Sequence, residues 1–128
     1  MVTTARETGI DTRVWREGPC VVVGIAGELD MNAVPRLRAE LDTALDGERP
    51  PRLVLDLTET TFCDSLGLGL LVGTLTRVRD AGGDLALVVA NGMISRLLTI
   101  TNLDHHFATF PTVGEAVTAI APHDRGTE

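Results

Sequence analysis

The chain has 128 residues, enough for one domain with an apolar core that needs no disulfide or metal to hold it. Hydrophobic residues make up 44% and aromatic residues 3%, so the core must be aliphatic, and there is neither a lysine nor a tyrosine. A formal net charge of −7 argues against a nucleic-acid backbone as partner, and the missing lysine excludes a P-loop phosphate anchor and a Schiff-base nucleophile.

Residues 1–11 are polar, charged and without periodicity, and read as a loose arm ahead of a domain spanning 12–121. They do not resemble a secretory signal, and no apolar run approaches the ~20 residues of a membrane span, so a soluble cytoplasmic protein is expected. Thr12 to Arg16 can form a short strand, turned back by Glu17-Gly18-Pro19 onto Cys20 to Ala26. The latter is a continuous apolar, largely β-branched run, which implies burial on both faces. Asn32 is placed to cap a helix to about Leu45, with Pro35 in its first turn, and with Val34, Leu37, Leu41, Ala44 and Leu45 inward. Arg36, Arg38, Glu40 and Asp42 are expected to face water. Asp46 to Pro51 is a loop.

Arg52 to Gly83 reads as buried strand, sharp turn and long helix, and the rest of the chain is arranged around it. Asp64 or Ser65 is a natural N-cap for a helix from about Leu66 to Ala81, stopped by Gly82-Gly83. Leu68, Leu71, Val72, Leu75 and Val78 fall on one face, which is expected to pack on the sheet. Leu66, Leu70 and Gly73 project on the opposite face, beside Ser65 and Gly69. That second apolar face is either covered by the chain's own loops or presented to a partner. Asp84 to Ala90 is another buried strand, and Asn91-Gly92 opens a helix through Ile100, with Asn102 as its left-handed stop. His106 to Phe110 is a short strand. Thr112-Val113-Gly114-Glu115 has the spacing of a capping box for a closing helix, and 122–128 is a polar tail. Strands alternating with about four helices predict an α/β fold with a small mixed, mainly parallel sheet.

The chemistry candidates narrow quickly. Cys20 and Cys63 lie in apolar, strand-like surroundings and read as buried thiols, although Cys63 stands two residues before Ser65. Ser65 at a strand-to-helix turn invites comparison with a hydrolase elbow, but Cys63 occupies the position where the motif has glycine. The histidines, at 105, 106 and 123, lie in a late loop and the tail, and Asp104-His105-His106 reads as an exposed loop rather than a metal site. Gly67, Gly69 and Gly73 miss the dinucleotide fingerprint by one residue. What remains is a serine hydroxyl at the positive end of a helix, beside an aspartate and apolar residues. Such a hydroxyl can serve as a cap alone, or accept a phosphate that the helix end stabilises.

Gly27-Glu28-Leu29-Asp30, Val54-Leu55-Asp56-Leu57, Phe62-Cys63-Asp64-Ser65-Leu66-Gly67-Leu68-Gly69, Gly82-Gly83 and the Leu98 to Phe107 segment resemble the anti-sigma factor antagonists of the STAS domain superfamily. The resemblance runs from about Val14 to Ile120. It implies a single STAS-like domain that is not an enzyme and carries no cofactor, and that switches partners. Unphosphorylated, such a protein binds an anti-sigma factor that is also a serine kinase, which frees a sigma factor; the kinase, bringing ATP and magnesium, then phosphorylates Ser65, and a metal-dependent phosphatase reverses this. By the same resemblance Asp30 and Asp64 lie near the acceptor, and together with the second apolar face of the helix they give the expected partner-binding set of Asp30, Asp64, Ser65, Leu66, Gly67, Gly69 and Leu70. Leu66 stands where the family usually has serine or threonine, which takes a hydroxyl out of the contact surface. A constitutive scaffold or sensor without the switch is the alternative, and monomer and dimer both remain open.

Overall fold

The computed structural model describes residues 3–7, 9–90 and 92–122. Its elements in chain order are β1 (Thr3–Glu7), β2 (Ile10–Glu17), β3 (Cys20–Leu29), α1 (Val34–Leu45), β4 (Arg52–Asp56), β5 (Thr60–Cys63), α2 (Ser65–Asp80), β6 (Asp84–Val88), α3 (Gly92–Ile100), β7 (Ala108–Phe110) and α4 (Val113–Ile120). The sheet runs β1-β2-β3-β4-β6-β7. The first two pairings are antiparallel and the rest parallel, as the alternation of strands and helices requires. Two expectations change at the N-terminus. The stretch read as a loose arm holds β1, paired along its length with β2, and β2 itself begins at Ile10. The tail after Pro122, and Asn91, lie outside the described residues.

Strand β3 organises the sheet because it is long enough to pair twice on one side. Val21 to Gly24 run beside β4, and Gly27 to Leu29 beside β5. The register shifts between Gly27 and Glu28. Gly27 makes that shift possible: its φ is 105°, and a Cβ there would stand 2.2 Å from the Gly9 carbonyl oxygen. The bend sends the end of β3 toward β5, and β5 leads straight into α2.

Alternation along the strands then builds two cores. Val21, Val23 and Ile25 of β3, with Leu53, Leu55, Leu85 and Leu87, meet Leu37 and Leu41 of α1, Leu71, Leu75 and Val78 of α2, and Ile94 and Leu98 of α3. Cys20, Val22, Val54, Ala86 and Val88 face the other way and are covered by Ala116 and Ile120 of α4. Burial on both faces is why β3, β4 and β6 read as unbroken apolar runs. Helix ends follow local chemistry. Thr112 Oγ1 accepts from Glu115 N at 3.1 Å at the start of α4, and Asn102 adopts φ 63° after α3.

The start of α1 differs from the expectation. Asn32 is exposed and caps nothing; Asp30 Oδ1 instead accepts from Asn32 N at 3.0 Å and Ala33 N at 3.1 Å. Nor do Arg36 and Glu40 face water freely. Arg36 pairs with Glu40 at 3.0 Å and donates to Ile10 O at 3.2 Å, while Thr12 Oγ1 donates to Glu40, so α1 is tied to β2 by polar contacts at the edge of the core.

Candidate functional site

The turn from β5 into α2 is built on Asp64. Its extended backbone makes it the N-cap, and Oδ1 accepts from Gly67 N at 2.8 Å. The other oxygen, Oδ2, accepts from Met31 N at 2.9 Å, and Asp64 N donates to Leu29 O at 3.2 Å. One side chain therefore caps α2 and fastens the loop after β3 to it. Through that loop Asp30 and Met31 are brought beside the α2 terminus, although they lie more than thirty positions away in the chain.

Gly67 lets the two segments come this close. A Cβ there would lie 2.4 Å from Leu29 O and 2.9 Å from Leu29 Cγ, so Gly67 is a buried packing position and not a contact surface. Leu70 is likewise withdrawn from the expected partner-binding set. It is 6% exposed and belongs to the main core. The reason is α1, which lies alongside α2 and widens the buried arc from Leu71 and Val78 through Gly67 and Thr74 to Leu70. Leu68 and Val72, expected on the sheet stripe, are only half-buried. Leu66, by contrast, is 55% exposed, and Gly69 and Gly73 are exposed with no atoms close to where a Cβ would stand.

Ser65 is the first residue of α2 and is exposed. Among the described residues its hydroxyl makes no hydrogen bond, and the N–H groups of Ser65 and Leu66 have no acceptor. A free hydroxyl thus sits beside two free backbone donors at the positive helix end. Two exposed apolar residues that sequence reasoning missed lie on the adjoining segments: Met31 is 60% exposed and Phe62 is 47% exposed. Met31, Phe62 and Leu66 come from the three segments that meet at Asp64, and they are three of the four large hydrophobic residues exposed among the described residues. An apolar residue in a polar loop, and one in the last two residues of a strand before a cap, are the signals the sequence offers.

The other chemistries fare as follows. His105 and His106 are exposed, and Arg79 Nη2 donates to His106 O at 2.9 Å. Arg79 is at the far end of α2, about 21 Å along the helix axis from Ser65, so this loop does not supply a base to the serine. His123 lies outside the described residues. No group of three or more metal-ligating side chains occurs among the described residues, and no helix there is long and apolar enough to cross a membrane.

Cys63 is buried beside the site, with Sγ 3.5 Å from Asp64 O, and burial together with the Asp64 charge pushes its thiol up to about 11. Burial raises Cys20 as well. Because the chain has no lysine or tyrosine, these two thiols dominate its side-chain titration above pH 8. Both favour the protonated native state. Stability is thus expected to hold below about pH 8.5, where even an unfolded thiol stays protonated, and to fall as pH rises toward 11. Thermal melts across that range check this, and the Cys20→Ala, Cys63→Ala double variant should show a flatter alkaline limb.

With the geometry in place, comparison decides the family: the sequence pattern of the STAS domain matches residues 12–116. The chain belongs to the STAS domain family. Within it, this STAS domain is 30% identical over 100 residues to the anti-sigma F factor antagonist of Paenibacillus polymyxa, covering 78% of this chain and 83% of that protein. It is 37% identical over 83 residues to the anti-sigma-B factor antagonist of Bacillus subtilis (strain 168), covering 65% and 74% respectively. The crystal structure of an anti-sigma factor antagonist from Mycobacterium paratuberculosis superposes with a TM-score of 0.79 at 29% identity, covering 88% of this chain and 95% of that one. The expected mixed, mostly parallel sheet with four helices is the fold observed. The STAS domain is thereby placed among the anti-sigma factor antagonists, a family of regulatory binding proteins.

Proposed function

We propose that this STAS domain, with Ser65 unmodified, binds an anti-sigma factor that is also a serine kinase and so frees a sigma factor, and that phosphorylation of Ser65 ends the binding. The observation that carries this reading is the exposed Ser65 hydroxyl, without a hydrogen bond among the described residues, at the start of α2 beside the exposed Leu66 and the Asp64 carboxylate that holds Met31 N. The relatives from Paenibacillus polymyxa and Bacillus subtilis, antagonists of anti-sigma factors, support the partner class.

The same phosphate acts differently on the fold and on the complex. On the free domain it adds nearly two negative charges at a helix N-terminus, next to the unpaired N–H groups of Ser65 and Leu66, which stabilise it by about 1 kcal/mol. Beneath a docked partner those charges must leave water beside the Asp64 carboxylate and the exposed Leu66, at a cost of several kcal/mol. The domain therefore keeps its fold while losing its partner. The kinase brings ATP and magnesium, and a metal-dependent serine phosphatase restores the hydroxyl. Asp30, Asp64, Ser65, Leu66 and Gly69 remain in the proposed contact set, joined by Met31 and Phe62, while Gly67 and Leu70 support it from beneath.

Intact-mass measurement after incubation with the cognate anti-sigma kinase and Mg-ATP tests the acceptor. One added phosphoryl group, absent from Ser65→Ala, is expected. Modification at another residue, or none by a kinase that binds the domain tightly, contradicts the assignment and favours a constitutive scaffold.

A further inference from the structure

The sheet face covered by α4 is not covered along its whole length. Beside Trp15 a cavity of about 190 Å³ opens over Gly24, on the face away from α1 and α2. The register sets three residues in a row across the sheet: Arg13 on β2 pairs with Gly24 on β3, which pairs with Asp56 on β4. Two strand spacings separate the outer pair, about 10 Å between backbones. Gly24 leaves the space between them empty, since the first atom its missing Cβ would meet is Trp15 Cζ3, 3.5 Å away.

The two charges flanking this gap are opposite and do not meet. The Arg13 guanidinium lies over the Trp15 ring, 5.7 Å from its centroid, and has no carboxylate partner among the described residues. Asp56 takes both of its hydrogen bonds, from Thr58 N at 3.0 Å and Thr58 Oγ1 at 2.8 Å, on Oδ1 alone. Its Oδ2 is left without a donor, and the Glu59 carboxylate at the same wall is also unpaired among the described residues. Arg13 at one end, with the Asp11 carboxylate two residues before it on the same strand, the Asp56 and Glu59 carboxylates at the other, an indole wall and a glycine floor suit one class of ligand. It is a small molecule with a carboxylate and an ammonium on a short apolar frame.

We propose that this cavity is a binding site for a small zwitterion of the α-amino acid class, its carboxylate on Arg13, its ammonium between Asp56 and Glu59, and its carbon frame against Trp15. The volume equals about six water molecules, which suits an amino acid with a short side chain rather than a nucleotide or a peptide. The site is distinct from the Ser65 surface, so it adds a small-molecule input to the domain independently of the partner reading. The β4–β5 connection that carries Thr58 and Glu59 continues directly into β5, which delivers Ser65.

The test is calorimetric titration of the full chain with the standard amino acids, and with ethylamine and propionate as singly charged analogues. Fluorescence of Trp15, the only tryptophan, is the second readout. Saturable binding of a short amino acid is expected at millimolar concentrations or below, weakened about tenfold or more by Arg13→Gln and by Asp56→Asn. Gly24→Val, which fills the floor, should abolish it in a protein that circular dichroism shows to be folded. No saturable binding of any amino acid by the unmodified chain overturns the proposal, as does binding that survives both charge variants. Ethylamine binding as tightly as the amino acid would also overturn it, by showing a plain cation site.

Discussion

Ser65→Asp is expected to weaken binding to the cognate anti-sigma factor by about a hundredfold or more, equivalent to ~3 kcal/mol, while leaving the fold intact. Two features set this asymmetry. The side chain is exposed at the first position of α2, where an acid meets the helix dipole favourably, so the melting temperature should stay level or rise slightly. In the complex the same carboxylate stands next to the Asp64 carboxylate and the exposed Leu66, where a partner would exclude water. Calorimetry of the two proteins, beside thermal melts, checks both halves. Unchanged affinity would place the interface elsewhere. Lost affinity together with a collapsed melt would mean that Ser65 supports the fold and does not act as a switch.

Gly67→Ala is expected to be the most damaging single methyl group in α2. The obstacle is a backbone carbonyl, Leu29 O at 2.4 Å, which cannot rotate aside as a side chain can. Either α2 retreats, breaking the Asp64 bond to Met31 N, or β3 bends away from β5, and either response costs about 2–3 kcal/mol. Gly69→Ala, two residues on, is the control. Its Cβ meets nothing within 4 Å, so better helix propensity should stabilise the domain by roughly 0.5–1 kcal/mol. Urea unfolding of the two variants is expected to shift the midpoint in opposite directions. A Gly67→Ala protein as stable as the parent would contradict the close approach on which the Ser65 surface is built.

Much of this was legible because local chemistry and tertiary packing agree. Cys20 to Ile25 and Leu53 to Leu55 announce a sheet buried on both faces, and Asp64 announces the start of α2, since its short carboxylate can satisfy Gly67 N. Misreadings fell where a distant segment decides the outcome. Leu70 and Leu66 are both apolar residues on the same expected ridge, and only the position of α1 makes one core and the other surface. Asn32 does not cap α1 because the chain turns before it, with Asp30 Oδ1 accepting from Asn32 N and Ala33 N and Asp64 holding Met31 N from across the site, so that Ala33 takes the cap position without a side-chain bond. Met31 and Phe62 escape a sequence reading for a similar reason: exposure of an apolar residue is a property of what does not cover it, and no periodicity records that. Residues 3–7 carry too little apolar pattern to announce a strand, and β1 is specified by its pairing with β2.

The central claim, that one phosphate on Ser65 separates folding from binding, is tested most directly by measuring the affinity of the cognate anti-sigma factor for the unmodified domain and for the Ser65-phosphorylated domain in the same buffer. Tight binding of the first is expected, with binding at least about a hundredfold weaker of the second and closely similar melting temperatures for the two. Equal affinities would contradict it and leave the surface around Asp64 as a permanent interface.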